Sequence, residues 1–116
     1  MRRRLRSWLA LFALVLAAAC TSPTLPLPPP AAPSITTGST PEHYKLSSPA
    51  GGAEPNALII VVNRNPDLAR TKRVSGTLAD EQGAWEVEVF ASAGDFLDVS
   101  QEAAGVRSPT QTVQVR

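Results

Sequence analysis

Cys20 and His43 are the only cysteine and the only histidine in this chain of 116 residues, and with the carboxylates they are the residues with reactive chemistry to offer. A lone cysteine can form neither an intramolecular disulfide nor, by itself, a zinc site. What stays open to it is a free thiol, a bond to another chain, or covalent modification. His43 would act as a base only if the fold brought it a nucleophile and an orienting carboxylate, and it lies beside a proline-rich stretch. The sequence also lacks a glycine-rich phosphate loop. The chain is therefore expected not to be an enzyme.

Asp80, Glu81, Asp95 and Asp98 are oxygen donors at turn positions, and calcium takes about six to eight such ligands from loops. If the Asp80 and Asp95 turns lay at one end of the fold, they could share an ion. The simpler expectation is that each caps its turn by accepting bonds from nearby backbone N–H groups, with no metal and no cofactor. Glu86 and Glu88 alternate on one strand face and read as solvated surface.

Around Cys20 the composition changes abruptly. Met1–Ser7 is cationic, Trp8–Ala19 is an uninterrupted apolar run, and Ala17, Ala18 and Ala19 are small. These are the three regions of a secretory signal peptide in order. Twelve apolar residues make only about 18 Å of helix, short of the roughly 30 Å of a hydrocarbon core. A permanent span is not expected. Without residues 1–19, which hold four of the eleven Lys/Arg and none of the ten Asp/Glu, the net charge is near −3. That balance carries no nucleic-acid footprint.

Ala18, Ala19 and Cys20, with Leu16 close by, resemble the lipobox of bacterial lipoprotein signal peptides. The resemblance implies cleavage between Ala19 and Cys20 and a diacylglyceryl group on the Cys20 thiol. It implies a third acyl chain, often, on the new amino group. One chain holds a protein to a membrane reversibly, and two or more hold it persistently. In the family, aspartate after the cysteine favours retention at the inner membrane. Thr21 stands there, so the outer membrane is the expected destination if the host has one. Leu16 sits one place earlier than the family's leucine, however, and Ala17-Ala18-Ala19 also reads as an A-x-A site. Ordinary cleavage there would release a secreted protein with a free thiol.

Residues 21–41 hold seven of the eleven prolines, which fix φ, remove donors and favour polyproline II. Residues 20–41 are expected to be a tether whose 21 residues beyond Cys20 reach about 65 Å. The same run could be a ligand for a proline-recognising groove.

Residues 42–116 alternate short apolar runs with turn signals, predicting an all-β antiparallel sandwich of about five to seven strands. Ala57–Val62 is continuous and β-branched, as for a central strand buried on both faces. Val74, Gly76 and Leu78 share one face of the next run, Ser75 and Thr77 the other. Trp85, Val87 and Val89 should point inward, as should Leu97, Val99, Val113 and Val115, whereas Phe96, Asp98 and Ser100 should face out. A first strand is possible at Glu42–Leu46. Phe90 and Phe96 fall opposite the core on runs adjacent in sequence, where a hairpin would join them into an exposed apolar contact patch.

The turn glycines and acids Asp80, Gly83, Gly94, Asp95 and Gly105, with Trp85, Ser108 and Pro109, are similar to the bacterial Ig-like repeat. Transthyretin-like and carboxypeptidase-regulatory-like sandwiches share much of the pattern. The resemblance implies a binding or structural module of the cell envelope, with an envelope protein or a polysaccharide as partner.

Overall fold

The computed structural model describes residues 26–116. The expected signal peptide, the Ala19–Cys20 cleavage and the lipidation of Cys20 lie outside the described residues. Within them the chain forms β1 (Ser34–Thr37), β2 (His43–Ser48), β3 (Leu58–Asn63), one helical turn α1 (Arg70–Arg73), β4 (Val74–Leu78), β5 (Trp85–Phe90), β6 (Phe96–Ala103), β7 (Val106–Arg107) and β8 (Gln111–Gln114). One sheet has the order β1-β2-β5; the other has the order β4-β3-β6, with β7 and β8 both paired to β6. All pairings are antiparallel. The all-β sandwich expected from the sequence is the observed fold, with eight strands among the described residues.

Period-two alternation decides what each strand buries. Ile59 and Val61 of β3, Leu97 and Val99 of β6, Leu46 of β2, and Trp85 and Val89 of β5 are all buried between the sheets, and Val115 closes the layer beyond β8. In the first sheet, Ile35 pairs with Leu46 and Leu46 with Val87, one apolar row across three strands. The cores of β5, β6 and β8 thus follow their sequence patterns.

Two expectations change, for β3 and for Ser100, and the facing of β4, which the sequence left open, is settled. Strand β3 is central, between β4 and β6, but it is not buried on both faces. Leu58 is 40% exposed and Ile60 and Val62 are half-buried, because among the described residues no further layer covers the outer face of this sheet. Strand β4 turns its apolar side outward, leaving Val74 57% and Leu78 69% exposed. Ser100, expected to face solvent, is buried; its small side chain sits beside Ile60, its cross-strand partner, in the middle of the sheet.

The tether also differs. Ser34–Thr37, inside the proline-rich stretch, forms β1, because Ser34-Ile35-Thr36-Thr37 is a proline-free, β-branched run between Pro33 and Gly38. Ahead of it, Ala31 N donates to Gly52 O at 2.9 Å, and Gln101 Nε2 donates to Pro28 O at 2.8 Å. Pro30 is among the fully buried side chains. The chain is therefore docked from Pro28 onward.

That docking fixes which way the sandwich faces. At the end where the chain enters lie the loop 49–57, the turn 79–84 and the turn 104–105. At the opposite end lie the turn 38–42, the connection 64–73 and the turn 91–95. Gly83 shows how tightly the entry end is built: its φ is +81°, and a Cβ there would meet Ala53 O at 2.1 Å. No other residue fits without moving that loop.

Truncation of Leu97, which is fully buried, to alanine is predicted to cost about 2–5 kcal/mol. Truncation of Leu78 should change stability by no more than about 0.5 kcal/mol. Urea unfolding of both variants checks this; a Leu78→Ala loss matching that of Leu97→Ala would mean β4 faces the core.

Candidate binding surface

At the end remote from chain entry, three connections converge on Phe90. The turn 38–42 is closed by Gly38 N donating to His43 O at 2.9 Å and His43 N donating to Thr40 O at 3.0 Å. Only glycine fits at position 38, since a Cβ would stand 2.7 Å from His43 O. Ser39 then donates through its backbone N and its Oγ to the two oxygens of Glu88, at 2.8 and 2.9 Å. These bonds, the side-chain bond foremost, hold the Glu88 carboxyl below its usual range. They also pin the turn over the outer face of the first sheet.

His43 and Phe90 are cross-strand partners, with ring centroids 4.1 Å apart and planes tilted by 45°. Thr40 Oγ1 hydrogen-bonds His43 Nδ1, orienting the imidazole. From the other sheet's connection, Lys72 Nζ lies 4.9 Å from the Phe90 centroid, within cation–π range. A hollow of about 200 Å³ lies beside this stack, lined by Glu42, Leu68, Lys72, Phe90, Ala91 and Ser92. A groove of about 310 Å³ runs along residues 37–41, His43 and Tyr44.

The scaffold beneath is a buried amide. Asn63, the last inward residue of β3, is 3% exposed. Its Nδ2 donates to Phe90 O at 3.0 Å and to Asp95 Oδ2 at 2.9 Å, and its Oδ1 accepts from Asn65 N at 2.9 Å. Asn65 in turn donates to Asp95 Oδ1 at 3.1 Å and accepts from Asp67 N at 2.9 Å. Arg73 closes the connection by donating to Leu68 O and Pro66 O at 2.7 and 2.6 Å. Lys72 is thus carried on a folded connection.

Phe90 and Phe96, expected together, are apart. Strand β5 belongs to one sheet and β6 to the other, so no hairpin joins them, and the two rings lie on opposite outer faces. Phe96, 45% exposed, sits opposite Gln114. The sequence Ser92-Ala93-Gly94-Asp95 makes a turn that crosses between sheets, which has the same composition as one that closes a hairpin.

The carboxylates are also placed by their hydrogen bonds. Asp80 Oδ1 accepts from Gln82 N and Ala84 N, both at 2.9 Å; Asp95 accepts from Ser92 N at 2.9 Å and from the two asparagines. The Asp80 turn precedes β5 and the Asp95 turn follows it, so the six-residue strand separates them by about 20 Å. They cannot share one ion. Among the described residues, no group of three or more His, Cys, Asp or Glu gathers to hold a metal. Asp98 is engaged by Arg64 Nε and a second guanidinium nitrogen at 2.7 and 2.8 Å and by Thr112 Oγ1 at 2.7 Å. Glu86 pairs with Lys45 at 2.8 Å.

The assembled surface combines an aromatic face, a cation, a carboxylate at Glu42 and a hydroxyl at Ser92, groups capable of stacking, ionic and hydrogen-bond contacts. His43 and Thr40 form a hydroxyl–imidazole contact, but it closes a local turn. Among the described residues no side chain bonds the other ring nitrogen. Sequence reasoning found Phe90 and missed its companions. The sequence places His43 beside the proline-rich stretch, in the possible strand Glu42–Leu46, with nothing to link it to Phe90, and Lys72 has a signal only in the basic run Arg70-Thr71-Lys72-Arg73.

The Arg64 fork, its largest cause, holds the Asp98 carboxyl below the ordinary value of 3.8. A depressed carboxylate pKa contributes stability that is present above that ordinary value and lost as pH falls through the lowered one. Thermal unfolding of Asp98→Asn should therefore lose part of the wild type's acid-side decline below about pH 4. Identical pH profiles would remove the fork from the stability balance.

Against protein-family models, curated proteins and solved structures the chain has no match, and the reading of its function rests on its own residues.

Proposed function

We propose that the protein is a lipid-anchored lipoprotein of the cell envelope whose small Ig-like sandwich is a binding module. Cys20 carries the acyl groups after cleavage between Ala19 and Cys20. The end bearing Phe90, His43 and Lys72 meets the partner, an envelope protein or a polysaccharide. No nucleic acid is involved.

The observation that carries this reading is the docking of Pro28 and Ala31 at the end opposite Phe90. A chain tethered through residue 20 then turns its entry end to the lipid and its aromatic–cation surface away from it. Positive φ at Gly83, Gly94 and Gly105, of 81°, 93° and 76°, supports the likeness to Ig-like repeats, since these glycines occupy turns as in that pattern. The acyl chains explain a single cysteine in an exported protein, where an exposed free thiol is a liability.

The intact mass of the protein from washed membranes, beside that of Cys20→Ser, tests the anchor. Residues 20–116 plus acyl groups, lost together with membrane association in the variant, is the expected result. An unacylated mass in the soluble fraction would instead support secretion through cleavage after Ala19. For the surface, Phe90→Ser and Lys72→Ala should each reduce recovery of a partner from detergent extracts, and Phe96→Ser should not. Equal recovery with all three would remove this end from the account.

A further inference from the structure

The entry end carries an apolar rim that no other element among the described residues covers. Leu58 and Leu78 are cross-strand partners at the end of β3 and β4, 40% and 69% exposed. The register continues from Leu58 to Glu102 and from Glu102 to Arg107, where the apolar row ends; Val106, 37% exposed, pairs with Ala103 and faces the other side of the sheet. Two of the five exposed large apolar residues thus stand side by side at the end where the N-terminal segment docks.

The length of chain ahead of that dock limits what can meet this rim. From Cys20 to Pro28 there are eight residue steps, which even fully extended span at most about 28 Å. The 65 Å spacer expected from the proline content does not exist, because Pro28 is already bonded to Gln101. Whatever holds Cys20 stands within about one domain length of Leu58 and Leu78.

We propose that this rim rests on the lipid surface that anchors Cys20, so that the sandwich stands on the membrane rather than hanging from a long tether. The inference relies on the lipid-anchor reading above. The chemistry of the surface follows from the charges around the rim. Glu54, Asp80, Glu81 and Glu102 lie at the same end against Arg107, an excess of negative charge that an anionic headgroup layer would repel. The rim suits a zwitterionic surface, where small apolar contacts add to the acyl chains.

Because lipidation consumes the single cysteine, an introduced one carries a unique thiol. The full chain bearing Leu78→Cys, Leu58→Cys or, at the opposite end, Arg70→Cys is labelled with an environment-sensitive fluorophore. It is then reconstituted, in its lipidated form confirmed by mass, into phosphatidylcholine vesicles containing lipids brominated near the glycerol. Loss of emission at positions 78 and 58 but not at 70, diminishing when anionic lipid is included, is the expected result. Vesicle-bound, acylated protein with no loss at 78 or 58 would overturn the rim contact while leaving the anchor intact. Protein that lacks acyl groups and fails to float with vesicles would overturn both. Emission at 78 that changes with protein concentration, without vesicles, would overturn the proposal in favour of a second copy of the chain on the rim.

Discussion

The docking of the N-terminal segment onto this sandwich depends on one buried amide. Alternation along β6 sends Leu97 and Val99 inward, and the next inward position is Gln101, 2% exposed. A polar side chain there must find partners, because an unpaired buried amide costs about 1–3 kcal/mol. Its Oε1 accepts from Glu54 N at 2.8 Å, and its Nε2 donates to Pro28 O. Its backbone exchanges bonds with Ser108, from Gln101 N to Ser108 Oγ at 2.9 Å and from Ser108 N to Gln101 O at 2.8 Å. One residue thereby ties the N-terminal segment, the loop after β2 and the loop after β7 to a central strand. With no intramolecular disulfide possible, such ties close the mouth of a small core.

Asn63 plays the matching part at the far mouth. There, too, the alternation Ile59, Val61, Asn63 delivers an amide to the last inward position. It bonds the end of β5, the turn before β6 and the connection toward β4. The two ends differ in what they hold. Gln101 holds the incoming chain, whereas Asn63 holds the connections that present Lys72 and Phe90. A surface built on connections braced in this way is held in place by the chain's own bonds, which in the binding role proposed above would lower the entropic cost of association.

Much of this was legible in the alternation of β5, β6 and β8, whose inward residues are those the period-two pattern selects. The pattern failed where a second influence outweighed it. Strand β1 was hidden because prolines on both sides made Ser34–Thr37 look like spacer, although the four residues themselves are good strand formers. The outer face of β3 looked like interior because Leu58, Ile60 and Val62 are apolar, and hydrophobicity alone cannot say whether a second layer covers them. Phe90 and Phe96 were joined in error since a short Gly-Asp turn does not reveal whether it stays in one sheet. The roles of Gln101 and Asn63 had no sequence signal beyond an amide at an inward position.

Amide hydrogen exchange at Ala31 and Glu54, in the wild type and in Gln101→Ala, tests the docked entry most directly. Both amides should be protected in the wild type, since Ala31 N bonds Gly52 O and Glu54 N bonds the Gln101 side chain. Protection at both should fall sharply in the variant while the centres of β3 and β6 stay protected. If Ala31 in the wild type exchanges like an unstructured chain, the segment is not docked. The tether is then long, and the two ends of the sandwich are not distinguished by the point of entry.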